Sequence, residues 1–97
     1  MPKLTHAQLS KAASQFLASN PVATLRILSI TQADADFFET SLDQLRLEAT
    51  MDEIAKYAHE NDRDPMEMRF SLAAETFEEY EKMWQDHQAS INQHLML

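Results

Sequence analysis

Apolar side chains recur every three or four residues along most of the chain, which is the spacing of one face of an α-helix. Near the start, Thr5 and Gln8 stand at the spacing of a capping box, in which each side chain binds the backbone amide of the other residue. The stripe that follows this cap consists of Leu9, Ala12, Ala13, Phe16 and Leu17. The pattern predicts a first helix over about 6–18, because Ser19-Asn20-Pro21 then interrupts it.

The next segment is rich in β-branched side chains, which favour strands. Its β-branched residues are Val22, Thr24, Ile27, Ile30 and Thr31. No other segment has the pattern of a partner strand, and a lone strand would leave its backbone groups unpaired. We therefore expect a short buried helix over about 21–29, capped by Asn20 with Pro21 at its first position. A short strand over 22–30 is the alternative.

Two further helices are expected in the middle of the chain. Thr31 to Asp34 restart the helical pattern and predict a helix over about 32–48. Its apolar stripe consists of Ala35, Phe38, Leu42, Leu45 and Ala49. Thr50 and Glu53 repeat the capping-box spacing, which predicts a separate short helix that ends near His59.

The last helix begins at a clear signal, because Asp64 can cap it and Pro65 suits its first position. No proline or glycine follows, so we expect one helix over about 65–93, roughly 43 Å long. Its main apolar stripe consists of Met66, Phe70, Ala73, Phe77, Trp84, Ile91 and Leu95, with Tyr80 at the edge. We interpret this stripe mainly as core. Because a domain of this size is only about 30 Å across, the far end is a candidate self-association surface formed by Trp84, Ile91, Leu95 and Leu97.

A thinner apolar line, formed by Met68, Leu72 and Met83, lies on the other side of this helix. It indicates either packing on both sides within one domain or a surface for a partner. Between the two lines lie the carboxylates of Glu67, Glu75, Glu78, Glu79 and Asp86. A second acidic run consists of Asp34, Asp36, Glu39 and Asp43. These acids form either a solvated face or a surface that imitates the phosphates of a nucleic acid.

Composition excludes several classes of protein. The 97 residues include no glycine and no cysteine, so glycine-rich phosphate loops, disulfide frameworks and thiol catalysis are ruled out. The net charge is −8, and residues 1–33 contain three bases and no acid. The acidic remainder argues against direct binding of nucleic acid, including a helix-turn-helix within 51–75.

Catalytic and metal-binding signals are weak. No histidine follows a glutamate at the Glu-x-x-His spacing of di-iron bundles, and Asp62-Arg63-Asp64 lacks the glycine of a calcium loop. We expect no catalytic residue, no cofactor and no metal site. No signal peptide and no membrane span is evident, so a cytoplasmic protein is the default expectation.

These patterns predict an all-α fold: one domain over 1–97, with four to five helices and a long C-terminal helix. In size, acidity and lack of catalytic motifs, the chain resembles small accessory proteins of phages and plasmids, several of which block host nucleic-acid enzymes, restriction systems or CRISPR complexes. The function that we expect is a non-catalytic module that inhibits or regulates a larger protein by binding its basic surface. The residues expected to bind this partner are Glu67, Met68, Leu72, Glu75, Glu78, Glu79, Met83 and Asp86. The alternative is a structural homo-oligomer, with a homodimer as its simplest form, or an assembly chaperone.

Overall fold

The computed structural model describes residues 4–95, with side chains as far as Ile91, and consists of six helices. They are α1 (His6–Ser19), α2 (Pro21–Leu28), α3 (Gln32–Phe37), α4 (Leu42–Glu60), α5 (Pro65–Ala73) and α6 (Phe77–Leu95). No strand occurs within residues 4–95, so the predicted all-α class is confirmed and the β-branched segment forms a helix. Over the same residues, no helix combines the length and the apolar character that crossing a membrane requires.

Helix starts agree well with the capping signals of the sequence. The Thr5 amide donates to the Gln8 side chain at 2.8 Å, and the Gln8 amide donates to the Thr5 hydroxyl at 3.2 Å. At the start of α5, the carboxylate of Asp64 accepts the amide hydrogens of Met66 and Glu67 at 2.8 and 3.4 Å. These bonds satisfy amides that have no partner inside the helix, which is why the local signal decides where each helix begins.

The helix predicted over 32–48 is two elements, because α3 ends at Phe37 and α4 begins at Leu42. Glu39 adopts the left-handed conformation, with φ of 55°. Around it, the Thr40 amide donates to the Ala35 carbonyl at 3.0 Å, which closes the turn of a Schellman motif. Phe38 therefore leaves the expected stripe and is exposed.

The helix start predicted at Thr50 is also wrong, because α4 runs without a break from Leu42 to Glu60. Thr50 lies inside α4 with 1% of its surface exposed, and its hydroxyl donates to the Arg46 carbonyl at 2.7 Å. The packing of Met51 and Ile54 into the core keeps this part of the chain helical. Thr50 therefore does not cap a new helix, because the burial of this segment keeps α4 continuous.

The long last helix is interrupted at residues 74–76, where the backbone of Ala74 is extended, with φ −75° and ψ 143°. The Glu79 amide donates to the Thr76 hydroxyl at 3.1 Å, so Thr76 caps a new helix. The break lets α6 fold back on α5. Phe70 and Trp84 would be about 21 Å apart along one continuous helix, whereas their ring centroids are 6.0 Å apart.

The core lies where α1, α4 and α5 pack together, and α2 and α3 cover α4 from outside. Its buried members are Ala12, Ala13, Phe16, Ala23, Met51, Ile54, Ala58, Met68 and Ala73. Alanine is frequent here because it lets helix backbones approach closely without a void. Only Ala23 and Ile27 of α2 are buried, so the expectation of a buried helix over 21–29 is wrong in burial although right in type.

Candidate protein-binding surfaces

One side of α6 is held by α5. Trp84 and His87 both contact the buried ring of Phe70, with ring centroids 6.0 and 5.1 Å apart. Over the described residues, the backbone of α6 approaches that of α5 and of no other helix. The opposite side of α6 is consequently open to solvent.

This open side carries three exposed carboxylates, Glu78, Glu81 and Asp86, which we call the α6 acidic face. Within the described part of the chain, none of the three forms an ion pair or a side-chain hydrogen bond. Phe77, at the start of the helix, is 71% exposed. Glu81 was not among the predicted site residues, although its spacing of three from Glu78 places the two on one side of a helix.

The other predicted carboxylates have partners within the chain. Glu75 pairs with Lys11 at 2.8 Å, and the hydrogen bond from Lys11 lowers the pKa of Glu75. The Glu79 carboxylate accepts the Glu75 amide at 2.9 Å and so fixes the turn before α6. These two carboxylates stabilise the α5–α6 connection. Of the acids expected to bind the partner, Glu78 and Asp86 face solvent without such a bond.

Glu67 also has a structural contact, because it accepts the hydroxyl hydrogen of Tyr80 at 3.0 Å. Burial raises the pKa of Tyr80, and the hydrogen bond to Glu67 raises it further. The bond ties α5 to α6 opposite the α6 acidic face.

The thin apolar line belongs to the core. Met68 is 4% exposed, and Leu72 and Met83 are half-buried and pack against the same cluster. Of the two interpretations of this line, packing within the domain is the one that the structure favours. The expectation that Met68 lies on a partner-binding surface is wrong, because Met68 packs into the cluster formed with buried residues of α1 and α4.

The candidate self-association residues are divided between two environments. Trp84 is half-buried against Phe70, whereas Ile91 is 44% exposed near the end of α6. Leu97 and the side chain of Leu95 lie outside the described residues. Their role in self-association stays a prediction.

A second surface, which was not predicted, consists of exposed apolar side chains on α2. We call it the α2 apolar surface; its members are Val22 (65% exposed), Leu25 (70%) and Leu28 (59%). Phe37 (81%) and Phe38 (63%) are exposed at the end of α3, whose backbone packs on α4 and, over the described residues, does not approach that of α2. The spacing of three along α2 places its exposed residues opposite the buried Ala23 and Ile27. Apolar residues thus occupy both sides of this short helix, whereas a single buried face would need them on one side only. This pattern in the sequence could have indicated the exposed surface.

Charge is neutralised beside this surface. Arg26 donates two hydrogen bonds to the Glu53 carboxylate, at 2.7 and 2.8 Å, in a groove of about 360 Å³ that Phe16 and Tyr57 also line. The hydrogen bond from Arg26 lowers the pKa of Glu53. Within the described residues, no cluster of three or more histidine, aspartate or glutamate side chains could hold a metal ion.

Comparisons with protein-family models, with curated proteins and with solved structures found no match.

Proposed function

We propose that the protein is a non-catalytic binding module that uses the α6 acidic face to dock on a basic surface of a larger protein, which it regulates or inhibits. The observation that carries this proposal is the one-sided support of α6. The helix rests on α5 and presents Glu78, Glu81 and Asp86 to solvent beside the exposed ring of Phe77.

The two kinds of side chain have different tasks in such a complex. Carboxylates without partners attract a basic surface and raise the rate of encounter. An exposed aromatic ring contributes to the binding free energy only in the complex, where the partner removes it from water. Phe77 is therefore expected to lower the rate of dissociation. Phe77 therefore takes the role of apolar anchor that the sequence pattern assigned to residues including Met68, which is buried.

A partner that normally binds nucleic acid is the class that fits this surface best. The groove of such a partner binds the phosphates of a nucleic acid, and the carboxylates of α6 would occupy the positions of those phosphates. Glu78 and Asp86 are separated by about 12 Å along the helix axis, and duplex DNA carries about one charge per 1.7 Å. The α6 acidic face is sparser than DNA, so binding relies on Phe77 as well as on charge. Nucleic-acid enzymes and defence complexes, which small phage and plasmid proteins block, have grooves of this kind.

Three forms of the protein test the proposal. The face variant carries Glu78→Gln, Glu81→Gln and Asp86→Asn. The control variant carries Glu48→Gln, Asp52→Asn and Glu60→Gln on α4, which changes the net charge by the same amount at exposed positions. Each form is used as bait in its native cell extract, and captured proteins are quantified by mass spectrometry.

We expect a basic protein to be captured by the natural form and by the control variant but not by the face variant. With that protein purified, the face variant should associate at least about tenfold more slowly at low salt. Phe77→Ser should instead speed dissociation. Equal capture by both variants would show that the acids are only a solvated face. Retardation of DNA by the protein itself at physiological salt would contradict the proposal outright.

A further inference from the structure

We propose that a cleft between the start of α5 and the second half of α6 binds an arginine side chain of the basic partner. This α5–α6 cleft has a volume of about 610 Å³ and is lined by Asp64, Met66, Trp84, His87, Gln88 and Ile91. Its volume lies in the range of sites that bind small molecules. The inference rests on the proposed function, because the basic surface of the partner supplies the arginine.

The aromatic wall of the cleft suits a flat cation. Trp84 and His87 are neighbours on α6, with ring centroids 5.6 Å apart and ring planes inclined by 32°. Phe70 of α5 packs against both rings and so fixes their positions, while the indole and the imidazole still line the cleft. A guanidinium stacks well on the face of an indole, because the ring presents negative charge density there.

The charge of the lining also favours a cation. With histidine counted as neutral, Asp64 is the one charged side chain among the described residues that line the cleft. Its Oδ1 accepts the amide hydrogens of Met66 and Glu67, whereas its Oδ2 has no hydrogen bond or ion pair within the described residues. The Arg69 guanidinium contacts the sulfur of Met66 at 3.7 Å, but Arg69 does not line the cleft. Oδ2 and the side-chain carbonyl of Gln88 are therefore the acceptors for an incoming guanidinium.

Other occupants fit the cleft less well than arginine. A lysine ammonium is compact and strongly hydrated, so it gains less from stacking on a ring. An apolar side chain would cover the free oxygen of Asp64 without giving it a hydrogen bond. The cleft is also close to the α6 acidic face, because Glu81 precedes Gln88 by two helical turns on the same side of α6. One basic surface can therefore contact both.

The fluorescence of Trp84 tests the proposal, because Trp84 is the single tryptophan of the chain. The probes are N-acetyl-arginine methylamide and the corresponding citrulline compound, which resembles arginine in shape but carries no charge. We expect the arginine probe to change the fluorescence with a dissociation constant of about 1 mM. The citrulline probe should bind at least about tenfold more weakly. Equal binding of the two probes, or no saturable change with arginine, would overturn the proposal.

Two matched variants locate the bound probe. Asp64→Asn removes the carboxylate and keeps the helix cap, because asparagine caps as well as aspartate. Asp62→Asn removes the same charge from an exposed residue that does not line the cleft, and asparagine tolerates its φ of 54°. Circular dichroism confirms that both variants are folded. Asp64→Asn should weaken binding of the arginine probe at least about fivefold, and Asp62→Asn less than about twofold. An equal loss in both variants would overturn the proposal, because it would show only general attraction to an acidic protein.

The partner experiments separate this inference from the proposed function. The face variant of α6 should still bind the arginine probe, because Asp64 and Trp84 are unchanged in it. Probe binding without any captured basic protein would contradict the proposed function and support the arginine site. Capture of the basic partner by Asp64→Asn at the strength of the natural protein would overturn the arginine site and leave the proposed function intact.

Discussion

Glu39→Gly should stabilise the protein, because Glu39 holds a conformation that suits glycine. Its φ of 55° lies in the left-handed region, at the position after the end of α3 where most helices of this kind use glycine. An L-residue with a Cβ atom pays about 1–2 kcal/mol there. Glycine avoids that cost but loses about 0.4–1 kcal/mol through the greater freedom of the unfolded chain. The expected net gain from backbone conformation is about 1 kcal/mol.

The Glu39 side chain adds a second contribution that a control must remove. Its charge stands next to the negative end of α3, which is unfavourable by about 0.3–1 kcal/mol at low salt. Glu39→Ala removes the charge but keeps the Cβ atom, so the difference between the glycine and alanine variants isolates the backbone contribution. Asp62, with φ of 54° at the end of α4, provides a comparison. Aspartate tolerates this conformation better than glutamate, so Asp62→Gly should gain less.

Thermal unfolding followed by circular dichroism measures the effect. The protein concentration is the same in every experiment, because self-association would shift the midpoint. For a chain of this size, 1 kcal/mol raises the midpoint by about 4–8 °C, so Glu39→Gly should unfold that much above Glu39→Ala. A glycine variant that unfolds at or below the temperature of the alanine variant would refute the argument that this position is strained.

Three other substitutions test contacts within the fold. Trp84→Ala should destabilise the protein by about 2 kcal/mol, less than the 3–5 kcal/mol of a fully buried ring, as measured by urea unfolding. Tyr80→Phe removes the hydrogen bond to Glu67 and should cost about 1 kcal/mol. Because the pKa of Tyr80 is raised from 10.0, this contribution should be complete below pH 10.0 and lost as the pH rises through the raised value. Glu53→Gln should lower the urea midpoint at pH 7, and it should have little effect on the midpoint well below pH 4.5. The reason is that the pKa of Glu53 is lowered from 4.5, so its ionised form is lost as the pH falls through the lowered value. A Glu53→Gln variant equally destabilised at pH 3 would show that packing, not charge, is lost.

Much of the site could not be read from spacing along the chain. The acids predicted on the last helix are there, but a sequence does not show which carboxylates already have partners. Glu75 is bound by Lys11, which is 64 residues earlier and belongs to α1. Met68 was expected on a surface because a continuous helix would have placed it opposite the core. In the structure α1 and α4 cover Met68, and α6 covers Phe70, so both sides of α5 are packed; no local pattern determines that.

Two capping signals of the same form show what the sequence determines and what tertiary structure decides. The chain has a threonine followed three residues later by glutamate at Thr50–Glu53 and again at Thr76–Glu79. By itself, the sequence determines the all-α class, through helical spacing and the lack of glycine, and it determines the helix starts at Thr5 and Asp64, where caps lie outside the core. It does not determine which of the two later signals is used.

Side-chain packing determines which of the two threonine–glutamate signals begins a helix. Thr50 is buried at 1% exposure between neighbours that fill the core, so its hydroxyl bonds back to Arg46 within α4, and Glu53 pairs with Arg26 instead of capping. Thr76 is exposed, and beyond it α6 can cover α5 only if the chain reverses. The reversal buries Phe70 under Trp84 and His87, and this burial opposes the loss of the few helical hydrogen bonds at the break. Capping residues offer a place for a helix to end, and the burial of distant side chains decides whether it does.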